Sequence, residues 1–328
     1  MRRLILIGVA LSAACWLPVA TALSSAVAQT YPNRPITLVV PFSAGGGNDT
    51  LARAVAERMS KTLGQQVVVE NRGGAGGTIA TRAVSRSDPD GYTILLTYTG
   101  TLAINPSLYP NAGYDPRKDF APIGLIAELP GILVINPKLP ANDLKELIAY
   151  AKANPGKLNY GFVPGTVGHI TTEMFSSVAG LDMARIPYKG NGSAVGDLIG
   201  GHVNMMVLSM IPAIPGVRAG TLRALAVGKP ARFEALPEVP TLAESGFGFI
   251  DPRTWFGAFA PAGTPPALLG RIQRDIAAAM AEPAVRERHL APSGYTVHAA
   301  TPEATADFLR QDLAYKAGLI AAAGITPD

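Results

Sequence analysis

Cysteine is almost absent from this sequence, because Cys15 is the one cysteine among 328 residues and it lies in an apolar N-terminal segment. If that segment is removed, the remaining chain has no thiol, which excludes disulfides, cysteine-ligated metals and a cysteine nucleophile. Charged residues make up only 16% of the chain and aromatic residues 7%, whereas hydrophobic residues make up 48%. This composition excludes a disordered chain. The net charge of +4 comes from basic residues scattered without interleaved aromatics, so no nucleic-acid partner is expected.

The N-terminal segment has the three parts of a secretory signal peptide. Arg2 and Arg3 precede an uncharged apolar run, and Ala26-Val27-Ala28 supplies an A-x-A cleavage motif. An uncleaved membrane anchor is the alternative, but Pro18 and the A-x-A ending favour cleavage. We therefore expect residues 1–28 to be removed and the mature protein to be exported to the periplasm. No second apolar run is long enough to span a membrane.

The rest of the chain alternates between strand-like and helix-like patterns. Short apolar runs rich in β-branched residues are separated by segments with helical periodicity, which favours an α/β fold with mainly parallel sheets. Strands are predicted over Ile36–Val40, Val67–Glu70, Thr93–Tyr98, Ile132–Ile135, Asn159–Val163, Ala184–Tyr188, Val203–Leu208, Arg223–Val227 and Trp255–Ala260.

The length of the chain and a restart of the strand–helix alternation predict two lobes. The second α/β unit is inserted before the C-terminal part of the first, so the chain crosses between the lobes twice. We place these crossings near residues 127–131 and 250–254. The first lobe then comprises residues 29–128 and 253–328, and the second comprises residues 129–252.

Catalytic and cofactor motifs are missing. No G-x-S-x-G or P-loop sequence is present, and the four histidines lack metal-ligand spacing of the H-E-x-x-H kind. His169 and Glu173 have i, i+4 spacing, for which a structural role is favoured over a metal site. An exported hydrolase using Ser43 or Ser193 would lack the nucleophile elbow. We therefore expect no enzyme activity, catalytic residue, cofactor or metal.

Three loops rich in glycine or other small residues each lie between a predicted strand and a predicted helix. They span residues 42–49, 164–168 and 189–193. A helix N-terminus offers unpaired N–H groups and the positive end of the helix dipole, and glycine lets an anion approach this backbone closely. In open α/β sheets such loops lie at the carboxyl ends of strands, where ligands bind. Ordinary tight turns are the alternative for any one loop, but three loops spread over two lobes favour an anion site.

The order of motifs along the chain resembles the Bug-type receptors, the substrate-binding proteins of tripartite tricarboxylate transporters. The resemblance covers essentially the whole mature chain. The motifs that carry it are Tyr31-Pro32-Asn33-Arg34-Pro35-Ile36, Val40-Pro41-Phe42-Ser43-Ala44-Gly45-Gly46 with Asp49, Val69-Glu70-Asn71-Arg72-Gly73-Gly74-Ala75-Gly76-Gly77, Asp90-Gly91-Tyr92-Thr93, Pro187-Tyr188-Lys189-Gly190, Pro240-Thr241-Leu242-Ala243-Glu244-Ser245-Gly246 and Trp255-Phe256-Gly257.

This resemblance implies a type II periplasmic-binding-protein fold, a Venus flytrap that captures small carboxylates largely through backbone amides and hydroxyls. Asp49 either contacts the ligand or only caps a helix, and both roles stay open. Phe162-Val163-Pro164 departs from the small, serine-rich stretch usual in the family. The residues expected to bind ligand are Phe42, Ser43, Ala44, Gly45, Gly46, Asp49, Thr99, Gly165, Thr166, Val167, Tyr188, Asn191 and Ser193.

The function that these observations favour is that of an exported, monomeric solute-binding receptor. It would capture a small carboxylate in the cleft between the lobes and deliver it to the membrane permease subunits of a tripartite tricarboxylate-type transporter. The alternative is a flytrap sensor that presents its closed form to a membrane histidine kinase. The sequence does not distinguish these two partners, nor does it identify the carboxylate.

Overall fold

The computed structural model describes residues 31–44, 47–109 and 111–325. The predicted signal peptide, Gly45 and Gly46 lie outside the described residues. The strands are β1 (Ile36–Val40), β2 (Val67–Asn71), β3 (Thr93–Tyr98), β4 (Phe120–Leu129), β5 (Gly131–Ile135), β6 (Leu158–Phe162), β7 (Met183–Pro187), β8 (Met205–Ser209), β9 (Arg223–Val227), β10 (Thr254–Pro261) and β11 (Thr296–Val297). The helices are α1 (Gly47–Leu63), α2 (Thr78–Ser85), α3 (Asn105–Leu108), α4 (Leu144–Ala153), α5 (Val167–Ala179), α6 (Asn191–Gly200), α7 (Met210–Arg218), α8 (Pro266–Ala281), α9 (Pro283–Val285) and α10 (Pro302–Ala322).

The first lobe is built on a sheet with the strand order β11-β4-β10-β3-β1-β2. Strands β2 and β3 pair with β1 in parallel, because each follows a helix that returns the chain to the same end of the sheet. Helix α1 covers one face of this sheet. Its residues Leu51, Val55 and Met59, spaced four apart, are fully buried in the core.

The second lobe is built on a sheet with the order β7-β6-β8-β5-β9. Strand β6 pairs in parallel with β7 and β8, whereas β5 pairs antiparallel with β8 and β9. Helix α5 begins at a threonine cap and ends at Gly180, whose φ of 63° is the left-handed conformation that terminates helices. It places the apolar side chain of Phe175 in the core of this lobe.

The two-lobed α/β fold class is thus confirmed, but both sheets are mixed where the sequence predicted mainly parallel ones. Strand β10 runs antiparallel to β3 and β4, its neighbours on either side. The cause lies in the chain path, because β10 enters the first sheet from the second lobe and therefore runs against the strands that began in the first lobe.

The chain passes between the two sheets at Pro130, between β4 and β5, and again through residues 250–253, just before β10. Arg253 joins these two crossings. Its guanidinium lies 2.8 Å from the Asp251 carboxylate on the same crossing and 3.3 Å from the Glu128 carboxylate on the other crossing. A guanidinium that binds two carboxylates holds them in a fixed geometry, so the two crossings are tied together.

Helix α10 packs on both lobes. It lies against β4 of the first sheet, where Leu309 is buried. Its end joins a small apolar cluster that includes first-lobe and second-lobe side chains. The buried members of this cluster are Ile104, Leu108, Val167, Ile170, Ile320 and Ile325. The C-terminal helix therefore bridges the junction of the lobes at a third place, apart from the two crossings. We keep the division at residues 128/129 and 252/253 as a proposal.

Candidate functional site

The first predicted loop follows the carboxyl end of β1. The ring of Phe42 is half-buried and packs edge-on against Tyr98, with 4.8 Å between ring centroids. Its carbonyl accepts a hydrogen bond of 3.1 Å from the Asn71 side chain at the end of β2. Ser43 and Ala44 are exposed. The loop is thus anchored at its aromatic residue and leaves Ser43 and Ala44 accessible.

Asp49 lies inside the first turn of α1 and does not precede it, so its prediction as the helix N-cap is wrong. The helix begins two residues earlier, at Gly47. The Asp49 carboxylate is buried and lies 3.0 Å from the guanidinium of Arg53, one turn later. A negative charge in the first helical turn is stabilised by the helix dipole. A contact between Asp49 and a ligand stays a prediction.

A glycine-rich turn after β2 lies against the first loop and was absent from the predicted site. Residues 74–77 all have positive φ, including Ala75 at 47°, a conformation that only glycine adopts readily. A Cβ on Gly73 would lie 3.6 Å from the backbone nitrogen of Ser43, and one on Gly77 would lie 3.0 Å from the ring of Phe42. The sequence signal for this turn was its cluster of glycines between a strand and a helix.

The segment after β3 contributes a buried polar wall to the first lobe. The hydroxyl of Thr99 accepts a hydrogen bond of 2.8 Å from the backbone N–H of Trp255, so it joins β3 to β10. The Asn105 side chain donates to the carbonyl of Gly76 at 2.9 Å, which ties this segment to the glycine-rich turn. Asn105 was not predicted, because an isolated asparagine in an apolar run gives no signal in the sequence.

The second-lobe loop is ordered by Thr166. Its hydroxyl donates to the carbonyl of Val163 at 2.7 Å and accepts from the N–H of His169 at 3.2 Å, so Thr166 is the N-cap of α5. Gly165, with φ of 73°, faces the first lobe, and Val167 is buried at the junction between the lobes. The structure therefore brings Gly165 close to the first-lobe elements, while the hydroxyl of Thr166 is engaged within its own loop.

His169 forms a structural cluster behind this loop. Its ring stacks on Phe162 with 4.3 Å between centroids, and its Nε2 lies 3.6 Å from the Glu173 carboxylate. Arg185 binds the same carboxylate at 2.8 Å. Burial favours a higher pKa for Glu173, but the neighbouring imidazole of His169, a hydrogen bond from Tyr160 and the charge of Arg185 lower this pKa below its ordinary value. These contacts agree with the structural role expected for His169 and Glu173.

The third loop is more open than the other two. The hydroxyl of Tyr188 donates to Asp197 at 2.7 Å, and burial together with this hydrogen bond raises the pKa of Tyr188 to about 12. Asn191 and Ser193 are exposed at the start of α6, and the Ser193 hydroxyl turns back to the carbonyl of Gly190 at 3.3 Å. The structure thus places these residues at the helix N-terminus that was predicted, on the surface of the second lobe.

Cationic side chains near the loops are mostly neutralised. Arg53 pairs with Asp49, Arg72 with Glu70 and Arg185 with Glu173.

Within the part of the chain that the structure describes, no three acidic, histidine or cysteine side chains come together as metal ligands. In the same residues no helix has both the length and the apolar character that crossing a bilayer requires.

Comparison with known proteins gives concordant matches over most of the chain. The family model TctC, described as "Tripartite tricarboxylate transporter family receptor", matches residues 51–325. Protein BugT of Bordetella pertussis is 40% identical over 299 residues, which cover 90% of this chain and 91% of that protein. The structure of periplasmic binding protein BugD has a TM-score of 0.81 and 38% identity, covering 91% of this chain and 100% of that chain. The structure of R. palustris Rpa4515 with adipate has a TM-score of 0.83 and 34% identity, with the same coverage. These similarities extend over both lobes.

Proposed function

The chain belongs to the tripartite tricarboxylate transporter receptor family, and we propose that it captures a small carboxylate between its lobes and delivers it to a membrane permease. As a member of this family it is a periplasmic substrate-binding protein and not an enzyme. The observation that carries the choice of ligand is the similarity to Rpa4515, which was solved with adipate and matches this chain over both lobes.

The chemistry of the loops supports a carboxylate ligand. Helices α1 and α5 begin beside loops of opposite lobes, so the positive ends of two helix dipoles lie near the cleft. Because Arg53, Arg72 and Arg185 are already paired with carboxylates, the donors left for the ligand are mainly backbone N–H groups and hydroxyls, with the exposed Lys189 of the third loop as the exception. Binding through such partly buried donors should weaken only modestly with salt.

The binding residues proposed are those of the three loops together with Thr99 and Tyr188. We give the greatest weight to Ser43, Ala44, Gly165 and Thr166, because the first two are exposed on the first loop and the other two lie on the loop that approaches Asn105 of the first lobe. Removal of residues 1–28 on export and delivery to a permease are further parts of the proposal.

Mass spectrometry of small molecules that copurify with the periplasmic protein, followed by calorimetry, tests the ligand class. The titration panel comprises adipate, citrate, a neutral sugar and a diamine. We expect one carboxylate to bind per chain, and tight binding of the sugar with no response to any acid would contradict the proposal. Uptake of the identified acid by cells with and without the receptor gene, in a strain that retains the permease, tests delivery.

A further inference from the structure

The two lobes meet at a contact between glycines that leaves no room for a side chain. A Cβ on Gly100, two residues after β3, would lie 2.7 Å from the carbonyl oxygen of Gly165 in the second lobe. A Cβ on Gly165 would lie 2.7 Å from Oδ1 of Asn105 in the first lobe. Both distances are shorter than real Cβ contacts. The lobes therefore reach this approach only because hydrogen stands at both positions.

Asn105 is the polar side chain within this contact. It is 1% exposed, and its Nδ2 donates to the carbonyl of Gly76, which fixes the orientation of the amide. Its Oδ1 faces Gly165 and has no hydrogen-bond partner among the described residues. The neighbouring hydroxyl of Tyr114 donates its hydrogen bond to the carbonyl of Thr101, so it does not donate to Oδ1 of Asn105.

The surroundings of the amide are apolar and come from both lobes. Ile104 and Leu108 flank Asn105 in the first lobe, Val167 and Ile170 belong to the second, and Ile320 of α10 joins them in one buried cluster. The oxygen of Asn105 is covered by a residue of the opposite lobe, so it loses contact with solvent when the lobes come together. A buried acceptor without a partner is unfavourable, because the hydration it has lost is not replaced.

We propose that Asn105 is a positioning residue that opposes closure of the empty receptor, so that closure depends on the ligand. The inference rests on the proposed function and concerns the regulation of that same site. Desolvation of one unpaired acceptor corresponds to roughly a five- to 150-fold shift of the open–closed equilibrium toward the open form. A ligand that binds both lobes compensates for this shift, because it binds the closed form better than the open one.

The test compares Asn105→Leu, which keeps the approximate shape of the side chain, with Asn136→Leu. Asn136 is an equally buried asparagine of the second lobe, and its amide is fully paired with Leu198, Ile199 and Lys138. Gly76 is exposed, so water can replace the donor that its carbonyl loses. Small-angle scattering measures the radius of gyration of each free protein, and calorimetry measures the dissociation constant for adipate.

We expect free Asn105→Leu to shrink toward the radius of adipate-saturated wild type and to bind adipate at least five-fold more tightly. Asn136→Leu should melt at a lower temperature with an unchanged radius and affinity. Asn105→Asp buries a charge in the same place, so it should stay open and bind more weakly. If leucine is not accommodated, Asn105→Ala also removes the acceptor and should shift the radius in the same direction.

The proposal is overturned if Asn105→Leu weakens adipate binding or leaves the radius of the free protein unchanged, because the amide would then support the closed form or have no effect on it. The comparison of the radius of free Asn105→Leu with that of free wild type needs no ligand. If wild type binds no carboxylate, the proposed function fails, while the radii of the free variants still decide the role of Asn105.

Discussion

Replacing Thr166 by alanine separates the helix-capping role of this residue from its proposed contact with the ligand. The hydroxyl accepts a hydrogen bond of 3.2 Å from the N–H of His169 and so caps α5. Loss of an N-cap lowers stability by about 1 kcal/mol. For a domain of 150–250 residues this corresponds to a fall of about 2–4 °C in Tm.

The Thr166 hydroxyl donates a hydrogen bond to the carbonyl of Val163. A carboxylate at the N-terminus of α5 can accept this hydrogen bond in place of the carbonyl. A hydrogen bond to a charged group contributes about 1.5–3 kcal/mol. Thr166→Ala should therefore weaken ligand binding by roughly ten- to a hundred-fold. Thr166→Ser keeps the hydroxyl and should retain both Tm and affinity.

The matched control is Thr301→Ala. Thr301 caps α10 by accepting from the N–H of Ala304, also at 3.2 Å, and it lies outside the predicted loops. It should lower Tm by a similar amount and leave the affinity unchanged. Differential scanning calorimetry and isothermal titration with the copurified acid measure the two quantities. If Thr166→Ala binds this acid as tightly as wild type, Thr166 is a cap alone and the proposed second-lobe site is wrong.

Three further predictions concern the glycine-rich turn, the Glu128 carboxylate beside the crossings and export. Gly77→Ala places a Cβ 3.0 Å from the ring of Phe42 at a strained φ of 89°, so it should lower both Tm and affinity. The control is Gly64→Ala, whose Cβ would have no atom within 4 Å. Because its φ of 64° is also strained, it should lower Tm alone. The imidazole of His298, whose Nε2 lies 3.3 Å from the Glu128 carboxylate, is the main cause that lowers the pKa of Glu128 from its ordinary value of 4.5. The stability that this carboxylate contributes is present above pH 4.5 and is lost as the pH falls through its folded pKa. Glu128→Gln should therefore lower Tm at pH 7, and its Tm should fall less on acidification than that of wild type. N-terminal sequencing of the periplasmic protein should begin at Gln29, and a retained N-terminal segment would contradict this.

Strands with an unbroken apolar pattern could be predicted closely from the sequence. The bounds of β1, β3 and β9 agree with the predicted strands, because each is a short run of apolar and β-branched residues between turn signals. The pattern reports local burial and does not report which strands pair. The antiparallel position of β10 therefore depends on the path of the chain and was not predictable from its own residues.

Strand β4 was not predicted, because Pro122 and Gly124 break its pattern. In the structure both residues lie where β4 bulges against β10, since the pairing jumps from Ala258–Gly124 to Phe259–Pro122 and skips Ile123. A proline can occupy a bulge because no ladder hydrogen bond is needed there. A long strand was thereby hidden by residues that normally indicate turns.

The three loops of the candidate site could be predicted, whereas the interlobe contact could not. Strand–glycine–helix transitions are local features, so residues 42–49 and 164–168 could be recognised from spacing alone. The approach of Gly100 to Gly165 joins residues of different lobes. Such a contact depends on how the two lobes dock, which no local pattern of residues records.

The packing of α10 across the lobe junction has a practical consequence for reagents made from this receptor. Because Ile320 and Ile325 belong to the apolar cluster shared by both lobes, a fluorescent protein or purification tag fused behind this helix would sit beside the junction of the lobes. Such a fusion would be expected to bias any binding assay that reads lobe closure. Since residues 29–328 contain no cysteine, a single cysteine introduced at exposed Lys152 of α4, outside the three loops, would instead provide one unique attachment point for a dye.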